Sequence, residues 1–444
     1  MLDVPIVASF RELLYCFLGC FTAPSFDTFY TLMSGWVLNL GRHTVTGTVR
    51  AAGAVGWKHI SSFHRFFSQA RWARDELGLV LVRLVVRHLA PDGPLVVAVD
   101  DTLGRHTGKR IGGASMHRDP LLSTATKPWW HWGHLWVVLG ITIQAFDKTW
   151  CLPVLVRLYR SKKRCRTEGR TYRTCQQLAV ELLALLAQAL PQRQIVMVGD
   201  ADYINRTLIR ERPSNVTILG RTRPDAAIYR PAPKRRPGQI GRPRKRGDRL
   251  PSPQQQAADP KAPWRRVEVT VYGKTVTVRV LVMDALWYFV GKSEMMRLVL
   301  VRGFPGHARD DVFVCTEETT SPAHIIETFA LRWSLEVTFH DAKGKFGFEE
   351  PQNRNDRAVE RTAPMALWCY SLTVLWYLTT GQNLSASRTA SVLPWYTKAA
   401  PTFADMLATL RRASWAERLF DPQAKDRTFR KRVQPLMDYL DACA

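Results

Sequence analysis

With 444 residues, 46% of them hydrophobic, the chain can bury a large core, which excludes an intrinsically disordered protein. Its 63 Lys and Arg against 38 Asp and Glu give a net charge of +25. This excess favours a polyanionic partner, and since it is not confined to one amphipathic helix, we interpret that partner as nucleic acid and not a membrane surface.

The cysteines and the apolar stretches indicate a cytoplasmic protein. The eight cysteines form no CxxC pair and no Cys/His zinc spacing, as is typical of reduced thiols. The apolar N-terminus has no basic start and is interrupted by Arg11 and Glu12, so it is a poor signal peptide. Residues 363–378 are apolar but too short for a comfortable membrane span, and we expect them to form a buried helix.

Residues 1–92 are rich in aromatic and basic residues, and we interpret them as a helical N-terminal domain. Within them, residues 43–67 fit two short helices across a turn from Gly53 to Gly56, a pattern like a helix-turn-helix. An ordinary helical bundle explains the same pattern, so both interpretations stay open.

From residue 93 to residue 223 short apolar runs alternate with helical periodicity, which predicts an α/β core. Two of the predicted strands end at an aspartate: VVAV leads into Asp100, and IVMVG leads into Asp200. The other predicted elements are a hairpin over 133–160, an amphipathic helix over 171–190 and a strand over 216–223.

Residues 224–262 are Pro-rich and basic, and we predict a disordered or extended linker. Residues 230–249 contain nine Lys or Arg and one Asp, a net charge of +8. The run Gly241-Arg242-Pro243-Arg244-Lys245 is like the core of a minor-groove hook, which makes Arg242, Arg244 and Lys245 candidate DNA contacts. A solvated basic linker is the alternative.

Residues 263–310 alternate between apolar and polar positions, which predicts a β-rich insertion. The core then resumes over 311–385, and residues 386–444 combine helical periodicity with a basic run over 425–432.

A helix is predicted over 321–345, with Ser321 as N-cap, Pro322 as first residue and Gly344 or Gly347 near its end. Four side chains fall within roughly 60° of one another on this helix. They are Phe329, Arg332, Glu336 and Lys343. A solvated face with structural ion pairs would look similar.

Asp100, Asp200 and Glu336 together would supply three carboxylates, which suit two divalent metal ions. Asp101 should point to the opposite face of its strand and take part in turn hydrogen bonds, whereas Asp202 remains a possible auxiliary ligand. Glu327 and Asp341 lie off the functional face of the helix.

The spacing Phe329-(2)-Arg332-(3)-Glu336-(6)-Lys343 resembles the YREK signature of DDE transposases of bacterial insertion sequences, with Phe in place of Tyr. VVAVDDT resembles the first block of that family, which selects Asp100 over Asp101, and VGDADY resembles the second block, with Asp200 in the catalytic position.

The resemblance implies an RNase H-like mixed-sheet core with a helical N-terminal domain that binds transposon ends, and a β-rich insertion before the helix that carries the catalytic Glu. It also implies catalysis by Asp100, Asp200 and Glu336, as ligands of two Mg²⁺ ions for which Mn²⁺ can substitute. Arg332 and Lys343 would bind DNA phosphates, with Phe329 beside them.

The activity implied is DNA cleavage at terminal inverted repeats and strand transfer into target DNA, by a homodimer that pairs two ends at the bacterial nucleoid. Two alternatives stay open: an RNase H-like nuclease without strand transfer, and an inactive, domesticated DNA-binding protein.

His131 and His134 lie three residues apart in a predicted strand and should point to opposite faces, so packing explains them better than a zinc site. The nearby tryptophans are mostly expected in the core, although an exposed one could stack on a base.

Overall fold

The computed structural model describes residues 4–119, 122–124, 126–235, 240–386 and 400–419. The basic run over 425–432, and most of the C-terminal region predicted over 386–444, lie outside the described residues.

The N-terminal part is helical, as the sequence predicts. Its helices are α1 (Ala8–Tyr15), α2 (Ala23–Leu38), α3 (Val45–Ala51), α4 (Ile60–Ser68) and α5 (Arg74–Leu89). The two-helix prediction over 43–67 is confirmed by α3 and α4, and Gly53 and Gly56 between them have positive φ angles of 66° and 85°. Glycine adopts this conformation without the steric cost that a side chain would add.

One mixed sheet forms the centre of the protein. Its strands are β1 (Leu95–Arg105), β2 (Ser115–Arg118), β3 (Trp130–Ala145), β4 (Lys148–Tyr159), β5 (Ile195–Gly199), β6 (Val216–Thr222), β7 (Arg265–Val271), β8 (Lys274–Leu286), β9 (Met295–Arg302) and β10 (Asp311–Cys315). The predicted hairpin is the pair β3 and β4, and its turn residues Phe146 and Asp147 both have positive φ.

Five strands in the order β4-β3-β1-β5-β6 form the core of the sheet. The pairs β4–β3 and β3–β1 are antiparallel, whereas β1–β5 and β5–β6 are parallel. This combination is consistent with the RNase H-like fold of the prediction, which is therefore confirmed as a fold class.

The strands of the β-rich segment continue the same sheet. The order beyond β6 is β10-β9-β8-β7, with every pair antiparallel. Because β10 pairs with β6, the last parallel strand of the core has no exposed edge. The insertion therefore lengthens the core sheet and adds no second sheet.

The remaining helices cover the sheet. They are α6 (Lys162–Thr167), α7 (Cys175–Ala189), α8 (Arg206–Glu211), α9 (Pro253–Ala258), α10 (Tyr288–Gly291), α11 (Pro322–Leu331), α12 (Trp333–Phe346), α13 (Asp356–Trp376), α14 (Gln382–Ala386) and α15 (Phe403–Leu419). Helix α13 contains most of the apolar stretch over 363–378 and is almost entirely buried, as predicted. Within the described part of the chain, no helix has the length and apolarity needed to cross a membrane.

The prediction of one helix over 321–345 is wrong in one respect, because the α-helical hydrogen bonding is interrupted at Arg332 and two helices result. Ser321 caps α11 by accepting a hydrogen bond from the His324 amide, and Gly347 ends α12 with a φ of 57°. At the junction, the Arg332 amide bonds to the Phe329 carbonyl, and the Leu335 amide bonds to the Arg332 carbonyl. Both are three-residue spacings, which tighten the backbone there.

The segment over 224–262 is also more ordered than the prediction of a disordered or extended linker. Tyr229 bridges to Arg249 and to Leu286 of β8, and the amides of Arg230 and Gly247 bond across the segment. Ile228 is fully buried. The two ends are thus joined to each other and to the sheet, and we call residues 230–235 and 240–249 the basic arm, which has a fixed base.

Arg246 connects the basic arm to three aromatic rings. Its guanidinium carbon lies 4.1, 4.8 and 4.7 Å from the ring centres of Tyr229, Tyr288 and Phe289. A cation over several aromatic faces is stabilised by their quadrupoles. We infer that this contact holds the end of the arm against α10.

Replacing this guanidinium should loosen the arm. In Arg246→Ala, we expect trypsin to cleave within 230–249 about 2- to 30-fold faster, since local opening becomes easier by the strength of the lost contact. The rate is measured by limited proteolysis and mass spectrometry. Arg244→Ala removes an exposed trypsin site in the same arm and is the matched control. Equal rates in the two variants would contradict the role of Arg246.

Candidate active site

Asp100 and Asp200 lie side by side on neighbouring parallel strands. The register pairs Ala98 with Val198, so the residues two positions on, Asp100 and Asp200, are at the same level of the sheet. Strand β1 does not end at Asp100, as the sequence suggested, but runs on to Arg105. Asp100, in the middle of β1, and Asp200, directly after β5, therefore lie near each other.

Arg332 joins these strands to the helix that carries Glu336. One guanidinium nitrogen, Nη1, donates to Oδ2 of Asp100 at 2.7 Å, and Nη2 lies 2.7 Å from Oε1 of Glu336. The side chain of Arg332 is only 14% exposed. One planar cation therefore holds two carboxylates from distant parts of the chain in fixed positions.

The carboxyl of Asp100 is strongly perturbed. Burial raises its pKa to about 8, with further raising by Asp200 and Asp101, although the positive charge of Arg332 acts in the opposite direction. The pKa of Asp100 is raised because several acids share a site of low solvent exposure with a single guanidinium.

Asp200 is oriented by its own turn. Its Oδ1 accepts hydrogen bonds from the amides of Asp202 at 2.9 Å and Tyr203 at 3.2 Å. This turn follows β5 directly and fixes one carboxylate oxygen by backbone donors. Asp202 is exposed at the surface. Partial loss of hydration is the main cause that raises the pKa of Asp202, and the nearby charge of Asp200 raises it further.

Asp101 points away from Asp100, as the sequence predicts. Its Oδ2 accepts a hydrogen bond from the Tyr203 hydroxyl at 3.0 Å. Burial is the main cause that raises the pKa of Asp101 to about 6, and the Tyr203 hydrogen bond opposes this. Asp101 thus has a structural partner on the other face of the strand.

The donor chemistry of the site fits a divalent cation. Asp100, Asp200 and Glu336 offer hard carboxylate oxygens, and the contact of Arg332 with two of them shows that the site binds positive charge. Across the described ranges, however, no three Asp, Glu, His or Cys side chains are close enough together to hold a metal ion. Arg332 would have to release a carboxylate before the three could close around an ion.

A family model described as DDE superfamily endonuclease matches residues 16–281. The match covers more than half of the chain, and its range contains both strand-borne aspartates. The chain belongs to the DDE superfamily endonucleases. No curated protein matches it.

Family membership defines the general activity of this DDE endonuclease. It implies DNA as the substrate and a reaction of the nuclease or transposase type, and DDE-type endonucleases generally use divalent metal ions. The matched range ends at residue 281, before Glu336. The choice of Glu336 therefore depends on its contact with Arg332 and stays a prediction.

The structure separates the other predicted DNA contacts. Lys343 lies near the site, where its Nζ donates to the carbonyl of Leu103 at 2.7 Å and is 3.4 Å from Glu349. Phe329 is 6% exposed and packs on Phe313 at 4.6 Å between ring centres. Since its ring is buried, we leave Phe329 out of the proposed DNA contacts.

The remaining candidates are exposed or turned away. Arg242, Arg244 and Lys245 are exposed on the basic arm. Glu327 accepts a hydrogen bond from the Thr270 amide of β7, away from the acidic site, and Asp341 lies 3.5 Å from His340.

His131 and His134 do not form a metal site in the structure. His131 bonds to Asp119 at 2.9 Å, whereas Nε2 of the buried His134 donates to the Gly112 carbonyl at 2.8 Å. Burial lowers the pKa of His134 to about 3 and that of His117 to about 4. The rings of His117 and His134 are therefore neutral packing elements on β2 and β3.

Sequence reasoning missed the supporting residues Tyr203, Glu349 and Asp119. Tyr203 lies three residues after Asp200, a spacing at which a turn brings a side chain back toward the end of the strand. The motif VGDADY therefore contained a local signal for Tyr203. Asp119, which is 1% exposed and bonds to Arg105 and His131, has no comparable local signal.

Removing the Tyr203 hydroxyl should destabilise the fold. In Tyr203→Phe the buried carboxyl of Asp101 loses a donor, which costs about 1–3 kcal/mol of the free energy of unfolding. The value is measured by urea denaturation. Tyr272→Phe, at a half-exposed turn residue, is the control and should change it by less than about 0.5 kcal/mol. A loss of equal size in both variants would refute the role of Tyr203.

The buried His134 should make stability depend on pH. Its pKa is lowered in the fold, so between about pH 6.5 and pH 4 the unfolded chain binds more protons, and the free energy of unfolding falls as pH falls. In His134→Gln, which can keep the bond to Gly112, the slope should decrease by up to about 1.4 kcal/mol per pH unit. Denaturation at several pH values tests this. His64→Gln, at an exposed histidine of α4, is the matched control.

Proposed function

We propose that this DDE endonuclease is a transposase that cleaves DNA at transposon ends and joins the 3′ ends to target DNA. The observation that carries the proposal is the Asp100–Arg332–Glu336 bridge, beside an Asp200 at the same level of the sheet. It supports a three-carboxylate site built from two strands and one helix. The YREK-like spacing agrees with this arrangement.

Asp100, Asp200 and Glu336 would hold two Mg²⁺ ions, with Mn²⁺ as a substitute. Such ions, when bound, activate the attacking water or 3′-hydroxyl and stabilise the leaving oxygen of an in-line phosphoryl displacement. Asp200 is prepared for this role because backbone donors already fix one of its oxygens.

Arg332 has a second role in the proposal. Its guanidinium pairs with Asp100 and with Glu336 in the structure, and once released from one of them it would bind a non-bridging phosphate oxygen of the DNA. Lys343, which lies on α12 eleven residues after Arg332, would bind a neighbouring phosphate as a point charge.

The rest of the DNA would be held by basic surfaces away from the site. The arm over 230–249 carries Arg242, Arg244 and Lys245, and helix α4 with its preceding turn carries Lys58 and Arg65. We propose that these surfaces bind the terminal inverted repeats and target DNA, that two protomers pair two ends, and that the protein acts at the bacterial nucleoid.

The family description also favours a second candidate, an endonuclease that cleaves DNA without joining it. The same acidic site would serve it, since hydrolysis and strand transfer differ only in the attacking hydroxyl. The products of the reaction distinguish the two candidates. An inactive DNA-binding protein would give no products at all.

The decisive experiment uses the purified protein with Mg²⁺ and a plasmid carrying the DNA that flanks its reading frame. We expect wild-type protein to cleave at the flanks and to join them to a second plasmid. In Glu336→Gln, both products should fall to below about one hundredth of wild type, because a metal-binding charge is lost while size is kept.

Glu327→Gln is the matched control, since Glu327 lies on the adjoining helix and its replacement can still accept the Thr270 hydrogen bond. Cleavage without joining would select the nuclease. Equal activity of wild type and Glu336→Gln would refute Glu336 as a ligand. Wild-type DNA binding without any product would select the inactive protein.

A further inference from the structure

Exposed tryptophan, methionine and arginine side chains form a patch where β2 pairs with the start of β3. We call it the Trp130 patch, and it consists of Met116, Arg118, Trp130 and Trp132. Trp130 is 54% exposed and Met116 is 52% exposed, which is unusual for such apolar side chains. Direct pairing places Arg118 opposite Trp130 and Met116 opposite Trp132, so all four side chains lie on one face.

This face is also the one to which Asp100 points. Asp100 pairs with Val138 of β3, and every second residue back along β3 shares that face, down to Trp132 and Trp130. At about 3.3 Å per residue, the two rings lie roughly 20 and 26 Å along the strand from the level of Asp100. The patch therefore lies on the side of the sheet that carries Asp100, with the buried His134 and Trp136 between them.

The surroundings of the patch are positively charged. Residues 102–134 contain five Lys or Arg residues, and their single acidic residue is Asp119. Asp119 is 1% exposed, and its carboxylate accepts bonds from Arg105 and His131. Arg105 pairs with Asp119, and the other four basic side chains, Lys109, Arg110, Arg118 and Lys127, are exposed.

The patch is held in place by hydrogen bonds to the loop before β2. The indole nitrogen of Trp132 donates to the carbonyl of Gly108 at 2.8 Å, and Arg105 bonds to Asp119 just after β2. The rings are therefore presented by a paired strand and not by a free loop. Little ordering would be needed before a ligand binds.

Exposed aromatic faces beside basic side chains fit single-stranded nucleic acid. Unpaired bases stack on aromatic rings, and the phosphates of the same strand meet Arg or Lys, whereas a duplex hides its base faces. A purely phosphate-binding surface would not need Trp130 and Met116 to be exposed.

We propose that the Trp130 patch binds the unpaired bases of the DNA strand that extends from the active site, with Trp130 stacking on a base. The proposal deepens the proposed function, since it names the single-stranded part of the substrate that this DDE endonuclease holds. Trp130 positions the strand and does not touch the reacting atoms.

Binding is tested on the full chain in EDTA, so that it does not depend on cleavage. The probes are a fluorescein-labelled 20-nucleotide single strand, the same sequence as a duplex, and a duplex with a single-stranded overhang. Fluorescence anisotropy gives Kd for each. We expect wild type to bind the single strand and the overhang more tightly than the plain duplex.

In Trp130→Ala this preference should fall about 5- to 100-fold, the effect of losing one stacked base, while Kd for the duplex changes little. Trp130→Phe should restore most of it, because the aromatic face returns. Phe146→Ala removes a partly exposed ring at the other end of the same strand and should leave the preference unchanged. Because binding is measured in EDTA, where cleavage cannot occur, the failure of catalysis and of this proposal can be told apart.

Two outcomes would overturn the proposal. One is equal affinity of wild type for the single strand and the duplex. The other is a change in sedimentation of Trp130→Ala with unchanged single-strand affinity, which would identify the patch as a contact between copies of the chain.

Discussion

The charge balance at Asp100, Asp200 and Glu336 is the constraint on which the rest of the site depends. Like charges brought together out of water repel one another, and each also loses hydration, so that a cation must lie among them. In the structure that cation is the Arg332 guanidinium, 2.7 Å from both Asp100 and Glu336. The parallel pairing of β1 with β5 and the placement of α12 together bring the acids to one basic side chain.

The tightened backbone at Arg332 makes this contact compatible with a well-packed core. Helix α11 lies against β7 and β10, whereas α12 lies against β1 and β4. At the junction, Phe329 enters the apolar cluster with Phe304 and Phe313, while Arg332 turns to the carboxylates. One short segment therefore serves packing and charge balance with residues only three positions apart.

Local signals in the sequence carried most of the correct predictions. The Ser321 cap, the hairpin of β3 and β4, and the opposite directions of Asp100 and Asp101 each follow from a few neighbouring residues. The ordered base of the basic arm does not, because Tyr229 bridges to Leu286, which lies 57 residues away in the chain. The Asp119 cluster and the pairing of β10 with β6 do not follow from neighbouring residues either. Such pairings are decided by which edge is free once the core has formed, and a single sequence does not record that.

The register of the sheet also places the base of the basic arm away from the acidic site. The base of the arm, at Leu286, lies four strands from Asp200 and about four residues nearer the start of β5, a distance on the order of 20 Å. Arg332 and the base of the arm therefore cannot contact the same phosphate. In the proposed function the two would serve different parts of the DNA: Arg332 would act at the scissile bond, and the arm would add phosphate affinity elsewhere, which salt weakens more than it weakens a buried ion pair. A high net charge is useful to such a protein only because it is distributed in this way.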